Sequence, residues 1–477
     1  MLSIATVRSQ LDTKEKTVKE VIDGCLAIIK EKNPTLNALI EIYDDAVIAE
    51  QIEKAQNMLD AGEGKSLTGV PYAIKDNILF LNQIASAGSN ILKNYRASYD
   101  AHAVQILKEQ GAVCLGRANM DDSAMGSSTE SSIYGETLHP ENPDYVPGGS
   151  SGGSVVAVAS GMVAFALGSD TGGSVRQPAG FCGIVGYKPS YGALSRAGLI
   201  ALGSSFDCVG PIASNVSDVQ MVYYALAHHD PLDATSVDVE TRENTLSQKI
   251  KKIGVPRNMI NQDGVSQSVR ENFDQTLQAL EEAGYEIIDI EMEYTPLSLP
   301  VYYITLPAEA STNLARYDGI RYGLSVEGED LADGYFKTKA AGYGKEVKRR
   351  ILVGAYVLSA GYYDAYYGKA TKVRNLIKKE FDTLFDHVDV ILTPTSPTSA
   401  FKIGAKSDPV SMYMADLFTI PANLVGAPAV SVPTGRDKDN NNLPLAVQFM
   451  GAYLADNQLL DFANHCESLF KKLDVSI

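Results

Sequence analysis

Residues 147–183 read PGGSSGGSVVAVASGMVAFALGSDTGGSVRQPAGFCG, two Gly/Ser loops around a run of small apolar residues. Glycine permits backbone shapes and close approaches that other residues forbid. Two such loops facing one site can present serine hydroxyls and bare backbone N–H groups to a ligand. In the second loop, Asp170-Thr171-Gly172-Gly173-Ser174, two glycines beside a serine let successive N–H groups converge on one point. A developing oxyanion requires that arrangement. Asp170 and Arg176 bracket the loop with opposite charges that would pin its shape. The plainer reading of the same residues is a tight turn held by an ion pair.

A serine nucleophile needs a base. Gly148-Gly149-Ser150-Ser151-Gly152 formally fits the GxSxG elbow, which calls for a preceding strand and a distant histidine. The preceding Asp144-Tyr145-Val146-Pro147 is a poor central strand. Of the six histidines, only His387 and His465 could serve, and by position alone. Lysine can act as the base when burial lowers its pKa. Lys75 closes the apolar stretch 70–74 and leads into Asp76-Asn77. Its ordinary alternative is to snorkel to water. No GK[ST] follows the glycines, so a phosphate-binding loop is excluded.

The elements that must position these groups follow from hydrophobic spacing. Thr17 to Glu20 fits a capping box, and Val21, Ile22, Cys25, Ile28 and Ile29 then recur at helical spacing. Asn33-Pro34 is expected to end that helix, and a second is expected over 44–59. Strands are expected at 70–75, 112–116, 163–167, 252–255, 285–290, 388–392, 427–432 and 445–450. Helices are expected at 102–110 and 455–473. Strands alternating with helices predict an α/β fold: a large mixed, mostly parallel β-sheet covered by helices on both faces. The organisation expected is one domain, residues 1–477. It would comprise an N-terminal helical segment (1–64), a catalytic core (65–235), a helix-rich lobe (250–380) and a segment completing the sheet (385–477), with a polar linker at 238–249.

At 477 residues the chain can bury a large core. The formal charge of −17 argues against non-specific nucleic-acid binding, although residues 345–350 and 369–379 are locally basic. Five scattered cysteines without a CxxC suit reduced thiols. No run reaches the length of a membrane span, and residues 1–20 lack a signal-peptide pattern. The expectation is a cytoplasmic protein without a metal site.

Lys75 in GVPYAIKDN, Ser150 in PGGSSGGS and Ser174 in GSDTGGSVRQPA together resemble the amidase signature family. The two loop serines stand 24 residues apart, as in that family. The resemblance implies the amidase-signature fold and a Ser–Ser–Lys triad. Ser174 would be the acyl-forming nucleophile, Ser150 the bridging serine on a cis peptide, and Lys75 the terminal base. Thr171, Gly172 and Gly173, with Ser174, would supply the oxyanion N–H groups, and Asp170, Arg176 and Ser151 would support them.

Further stretches are similar to one branch, the A subunits of tRNA-dependent amidotransferases. They are 118–132 (ANMDDSAMGSSTESS), 309–323 (EASTNLARYDGIRYG), 344–351 (GKEVKRRI) and 419–428 (TIPANLVGAP). The resemblance implies hydrolysis of glutamine, with ammonia passed to a B subunit that amidates misacylated Glu-tRNA(Gln) or Asp-tRNA(Asn), and a small C subunit completing a heterotrimer. This chain would carry no cofactor, while ATP and Mg would bind the partner subunit, as would most of the tRNA. Asp416 would hold the α-ammonium of glutamine and Arg349 or its neighbour Arg350 the α-carboxylate, with Tyr303 lining the pocket. The competing expectation is a stand-alone amidase acting on small or fatty amides.

Overall fold

The computed structural model describes residues 1–239, 249–406 and 408–472. Of the linker expected at 238–249, residues 240–248 lie outside the described residues, as does the last residue of the helix expected at 455–473.

Eleven strands share one sheet: β1 (Leu39–Ile42), β2 (Pro71–Lys75), β3 (Val113–Ala118), β4 (Phe165–Asp170), β5 (Val185–Lys188), β6 (Cys208–Ala213), β7 (Lys252–Pro256), β8 (Glu286–Ile290), β9 (Val390–Pro394), β10 (Ala429–Asp437) and β11 (Leu443–Met450). Their order is β1-β3-β2-β4-β6-β5-β10-β11-β9-β7-β8. Every residue of β2, β3, β4 and β6 is buried. Burial of both alternating faces means that chain covers the sheet on both sides.

The α/β character and the mixed sheet match the sequence reading, but a mostly parallel sheet does not. Four of the ten described pairings are parallel, two at β2 and two at β7. The other six, through the middle of the sheet and at the β1 edge, are antiparallel. A buried apolar run reads the same in either direction, so hydrophobic pattern does not reveal the partner's sense.

Three strands went unpredicted: β1, β5 and β6. β1 makes the stretch expected to be helical, 1–64, the source of an edge strand as well. β7 and β8, from the stretch expected to be helix-rich, form the opposite edge.

The capping box forms as expected: Glu20 N–H donates to Thr17 Oγ1 at 3.2 Å and Thr17 N–H to Glu20 Oε2 at 2.8 Å. The helix Val18–Leu36 nevertheless runs through Pro34 rather than stopping there. Pro34 falls in the last turn, where its missing donor costs one bond. Asn37, left-handed at φ 48°, closes that turn by donating to the Asn33 carbonyl at 2.8 Å. The Asn33 amide then pairs both backbone groups of Leu39, each at 2.8 Å, and so turns the chain into β1.

The relation that positions the site is between β2 and β4, parallel neighbours with Ile74 opposite Leu167. Parallel strands end on the same side of a sheet, so Lys75, at the end of β2, and Ser169-Asp170, at the end of β4, emerge together. Ligand sites of α/β sheets favour that end.

Candidate active site

Lys75 is fully buried, and its Nζ donates to Ser150 Oγ at 2.7 Å, to Ser169 Oγ at 3.0 Å and to the Ser169 carbonyl at 3.2 Å. Burial lowers its pKa to about 7, against the opposing pull of Asp121, Asp170 and Asp207. The lysine is thus poised to exchange a proton near neutrality. Asn77 Nδ2 also donates to Ser169 Oγ, at 2.9 Å.

Ser150 follows a cis Gly149-Ser150 peptide. It sits before the helix Gly152–Ala159, in a loop with no room for a side chain at Gly149 or Gly152. A Cβ on Gly149 would lie 2.3 Å from Asp121 Oδ2, and one on Gly152 would lie 2.3 Å from Thr129 Oγ1. Ser151 joins the two loops: its N–H donates to the Ser174 carbonyl at 3.1 Å and its hydroxyl to the Ser169 carbonyl at 3.2 Å. Ser174 is partly exposed, and its hydroxyl has no hydrogen-bond partner among the described residues.

Asp170 and Arg176, both wholly buried, hold the Ser174 loop. Arg176 Nε and Nη2 reach the two carboxylate oxygens at 3.0 and 2.9 Å. Arg176 also donates to Thr419 O, Gln448 Oε1 and Asn423 Oδ1, which ties the loop to the helix Ile420–Val425 and to β11. Burial alone would raise the Asp170 pKa, but the Arg176 guanidinium and its hydrogen bonds hold the carboxyl well below its usual range.

The expected oxyanion set needs one correction. Gly173 N–H donates to Asp170 Oδ1 at 2.9 Å, because the carboxylate folds back over its own loop. A donor bound to a buried carboxylate is not free for a second anion. The N–H groups of Thr171, Gly172 and Ser174 have no partner among the described residues. Gly173 remains sterically obligatory: its φ is +132°, and a Cβ there would lie 2.2 Å from Thr419 Oγ1.

A cavity of about 290 Å³ opens beside this site, lined by Ser127, Glu346, Arg349, Arg350, Lys406 and Tyr413 among others. Asp416 is buried against it, accepting from Ser127 Oγ at 2.7 Å and from the Tyr303 hydroxyl at 3.4 Å. Burial raises its pKa to about 7, offset in part by Ser127 and Arg350. Arg350 is buried over the faces of Tyr303 and Tyr413, 5.3 and 5.4 Å from their ring centres. Its Nε donates to Glu346 Oε1 at 2.9 Å. Arg349 pairs with the other oxygen of Glu346, but its side chain is 38 % exposed against 7 % for Arg350. The structure thus groups Asp416, Tyr303 and Arg350, with Arg349 at the rim.

Sequence reasoning did not single out Ser169, Ser127, Thr419, Glu346 or Tyr413. Thr419 Oγ1 donates to the Gly172 carbonyl at 2.7 Å and approaches the Asp416 carbonyl at 3.2 Å, bridging cavity and loop. Four of these lie inside the stretches quoted for the family resemblance, which was the available signal; Tyr413 had none. Of the two histidines considered by position, His465 packs against Tyr285 beside β8, at the other end of the sheet. Among the described residues no cluster of His, Cys, Asp or Glu could hold a metal ion, and no helix is long and apolar enough to cross a membrane. All five cysteines are free and buried.

The family model described as Amidase matches residues 20–460. The A subunit of the glutamyl-tRNA(Gln) amidotransferase from Caldanaerobacter subterraneus subsp. tengcongensis is 46% identical over 476 residues, covering 98% of this chain and 96% of its own. Its counterpart from Neisseria meningitidis serogroup C is 46% identical over 96% of this chain and 95% of its own. The crystal structure of the corresponding glutamyl-tRNA(Gln) amidotransferase chain from Thermotoga maritima superposes with a TM-score of 0.75, at 40% identity over 93% of this chain and 92% of that one. Extent of match and shared architecture agree: the chain belongs to the amidase family.

Proposed function

We propose that this chain is the glutamine-hydrolysing A subunit of a glutamyl-tRNA(Gln) amidotransferase. The observation that carries the reading is the 2.7 Å contact between a fully buried Lys75 and Ser150, beside the loop of Ser174. Likeness to A subunits along nearly the whole chain supports the choice of substrate and assembly.

Neutral Lys75 takes the Ser150 proton as Ser150 takes that of Ser174, and Ser174 Oγ attacks the amide carbon. The carbonyl oxygen gains negative charge within reach of the Thr171, Gly172 and Ser174 N–H groups. On collapse, the proton returns through Ser150 to the leaving nitrogen, releasing ammonia and an acyl-Ser174 ester. Water, deprotonated by the same relay, frees glutamate. Asp416 pairs with the α-ammonium of glutamine, and the Arg350 guanidinium with its α-carboxylate. A cavity of about 290 Å³ accommodates an amino acid of this size.

In this reading the ammonia serves a B subunit that binds ATP, Mg and the misacylated tRNA, Glu-tRNA(Gln) or Asp-tRNA(Asn), with a C subunit completing a cytoplasmic heterotrimer. The whole chain acts as one amidase domain, which the single sheet shared by β1–β11 supports. The test is glutamine turnover by the chain co-expressed with its B and C subunits. Ser174→Ala is expected to abolish ammonia release, and normal turnover in that variant removes the reading.

A further inference from the structure

Asp207 is a buried carboxylate that takes no part in the reaction proposed above. The register of β4 on β6 sets Asp170 opposite Cys208. The residue after the one therefore meets the residue before the other, and Thr171 Oγ1 donates to Asp207 Oδ1 at 2.8 Å. The carboxylate also accepts the N–H of Leu202 at 2.9 Å and that of Gly203 at 3.1 and 3.2 Å. Asp207 N–H in turn donates to the Gly203 carbonyl at 2.9 Å, which closes the loop 202–207 on itself.

That loop is anchored on the helix Ser298–Asn313. Asn313 Nδ2 donates to the Leu202 carbonyl at 3.0 Å, and Glu309 accepts the Ser205 N–H at 2.9 Å. Through Asp207, Thr171 is thus tied to a helix outside its own loop. Its neighbours before Ser174 are held from other directions: Asp170 by Arg176, the Gly172 carbonyl by Thr419 and the Gly173 N–H by Asp170. Thr171 is held by its side chain, which leaves its N–H without a partner among the described residues. A hydroxyl bound to a carboxylate makes a stronger contact than a neutral pair. A donor fixed before charge develops stabilises the transition state without reorganising during the reaction.

We infer that Asp207 is a positioning residue of the oxyanion site, holding Thr171 so that its backbone N–H stays where the amide oxygen gains charge. The inference rests on the hydrolysis proposed above. Asp207 touches no substrate and acts through Thr171 alone.

The test uses the chain co-expressed with its B and C subunits. Thr171→Val removes the hydroxyl at nearly constant volume, and Asp207→Asn weakens its acceptor. Both are assayed well above the Lys75 pKa of about 7, where loss of the Asp207 charge no longer changes the state of the base. Each is expected to lower kcat about ten- to a hundredfold, part of what an oxyanion donor contributes, with the KM for glutamine unchanged. Affinity for a glutamine analogue carrying a boronic acid in place of the amide, which forms a tetrahedral adduct on Ser174, should fall by the same factor. The double variant should fall little further than either single one. Thr171→Ser, which keeps the hydroxyl, should recover most of the rate. If Asp207→Asn does not fold, Thr171→Val decides alone. Parent-like kcat in Thr171→Val overturns the inference, and so does a lower kcat with boronate affinity unmoved. A raised KM at parent kcat assigns the contact to the shape of the pocket and also overturns it. Normal glutamine turnover in Ser174→Ala removes the hydrolysis and this inference together.

Discussion

Lys75 Nζ meets Ser150 once, at 2.7 Å, and Ser169 twice, at 3.0 and 3.2 Å. Three acceptors match the three N–H bonds of an ammonium. When the amine loses its proton, two N–H groups can stay on Ser169, leaving the lone pair aimed at the Ser150 hydroxyl. In the proposed reaction, Ser169 is thereby the positioning residue for the base.

Ser169→Ala should therefore lower kcat for glutamine roughly ten- to a hundredfold while sparing KM, a part of what acid–base catalysis contributes. Loss of an acceptor for the charged form should also move the pH–rate midpoint below that of the parent. Ser169→Thr, which keeps the hydroxyl, should recover most of the rate. An unchanged midpoint in Ser169→Ala would show that the hydroxyl does not tune Lys75.

In the proposed reaction, two groups with pKa near 7 take opposite chemical roles yet need the same deprotonated state: Lys75 as base and Asp416 as the partner of an ammonium. A log plot of kcat/KM against pH should rise below pH 7 with a slope approaching about two, since each must lose a proton. Asp416→Asn should cut that slope to about one and raise KM. A parent slope of one discards one of the two assignments.

The same burial has a consequence for stability. Lys75 has a folded pKa of about 7 against an ordinary value of 10.5, so between them the unfolded chain binds more protons. Stability from this group therefore rises with pH across that window. Lys75→Met should be inactive, more stable than the parent at pH 7, and should lose this part of the pH dependence. Thermal melts at pH 7 and pH 9 measure it; an equal change in both proteins rules it out.

Arg350 and Arg349 separate on burial. Removing a charged hydrogen-bond donor from a buried site costs roughly 1.5–3 kcal/mol, about ten- to a hundredfold in affinity. Arg350→Lys should raise the KM for glutamine by that order while leaving acylation by a small activated ester intact. Arg349→Ala should change KM only severalfold. The reverse pattern in steady-state kinetics would give the carboxylate to Arg349.

Asp122 Oδ2 accepts the backbone N–H of Gly344 at 2.8 Å, capping the helix Lys345–Val357 that carries both arginines. Loss of a helix cap costs about 0.5–2 kcal/mol. Asp122→Ala should lower the melting temperature and raise the KM for glutamine severalfold, with Asp122→Asn close to the parent. A KM unmoved by Asp122→Ala would make the contact purely structural.

The order and spacing of Lys75, Ser150 and Ser174 were legible in the chain because glycine-rich loops are written locally. Burial of strands such as β2 and β3 was legible for the same reason: an apolar run is a property of neighbours in sequence. Strand direction, the commitment of Gly173 N–H to Asp170, the bridge made by Thr419 and the ranking of Arg350 over Arg349 were not. Each depends on which distant segment arrives beside which, and on how much water that arrival expels. Sequence named the groups able to carry a proton; only packing set Lys75 at the common end of two parallel strands, where desolvation leaves it ready to give one up.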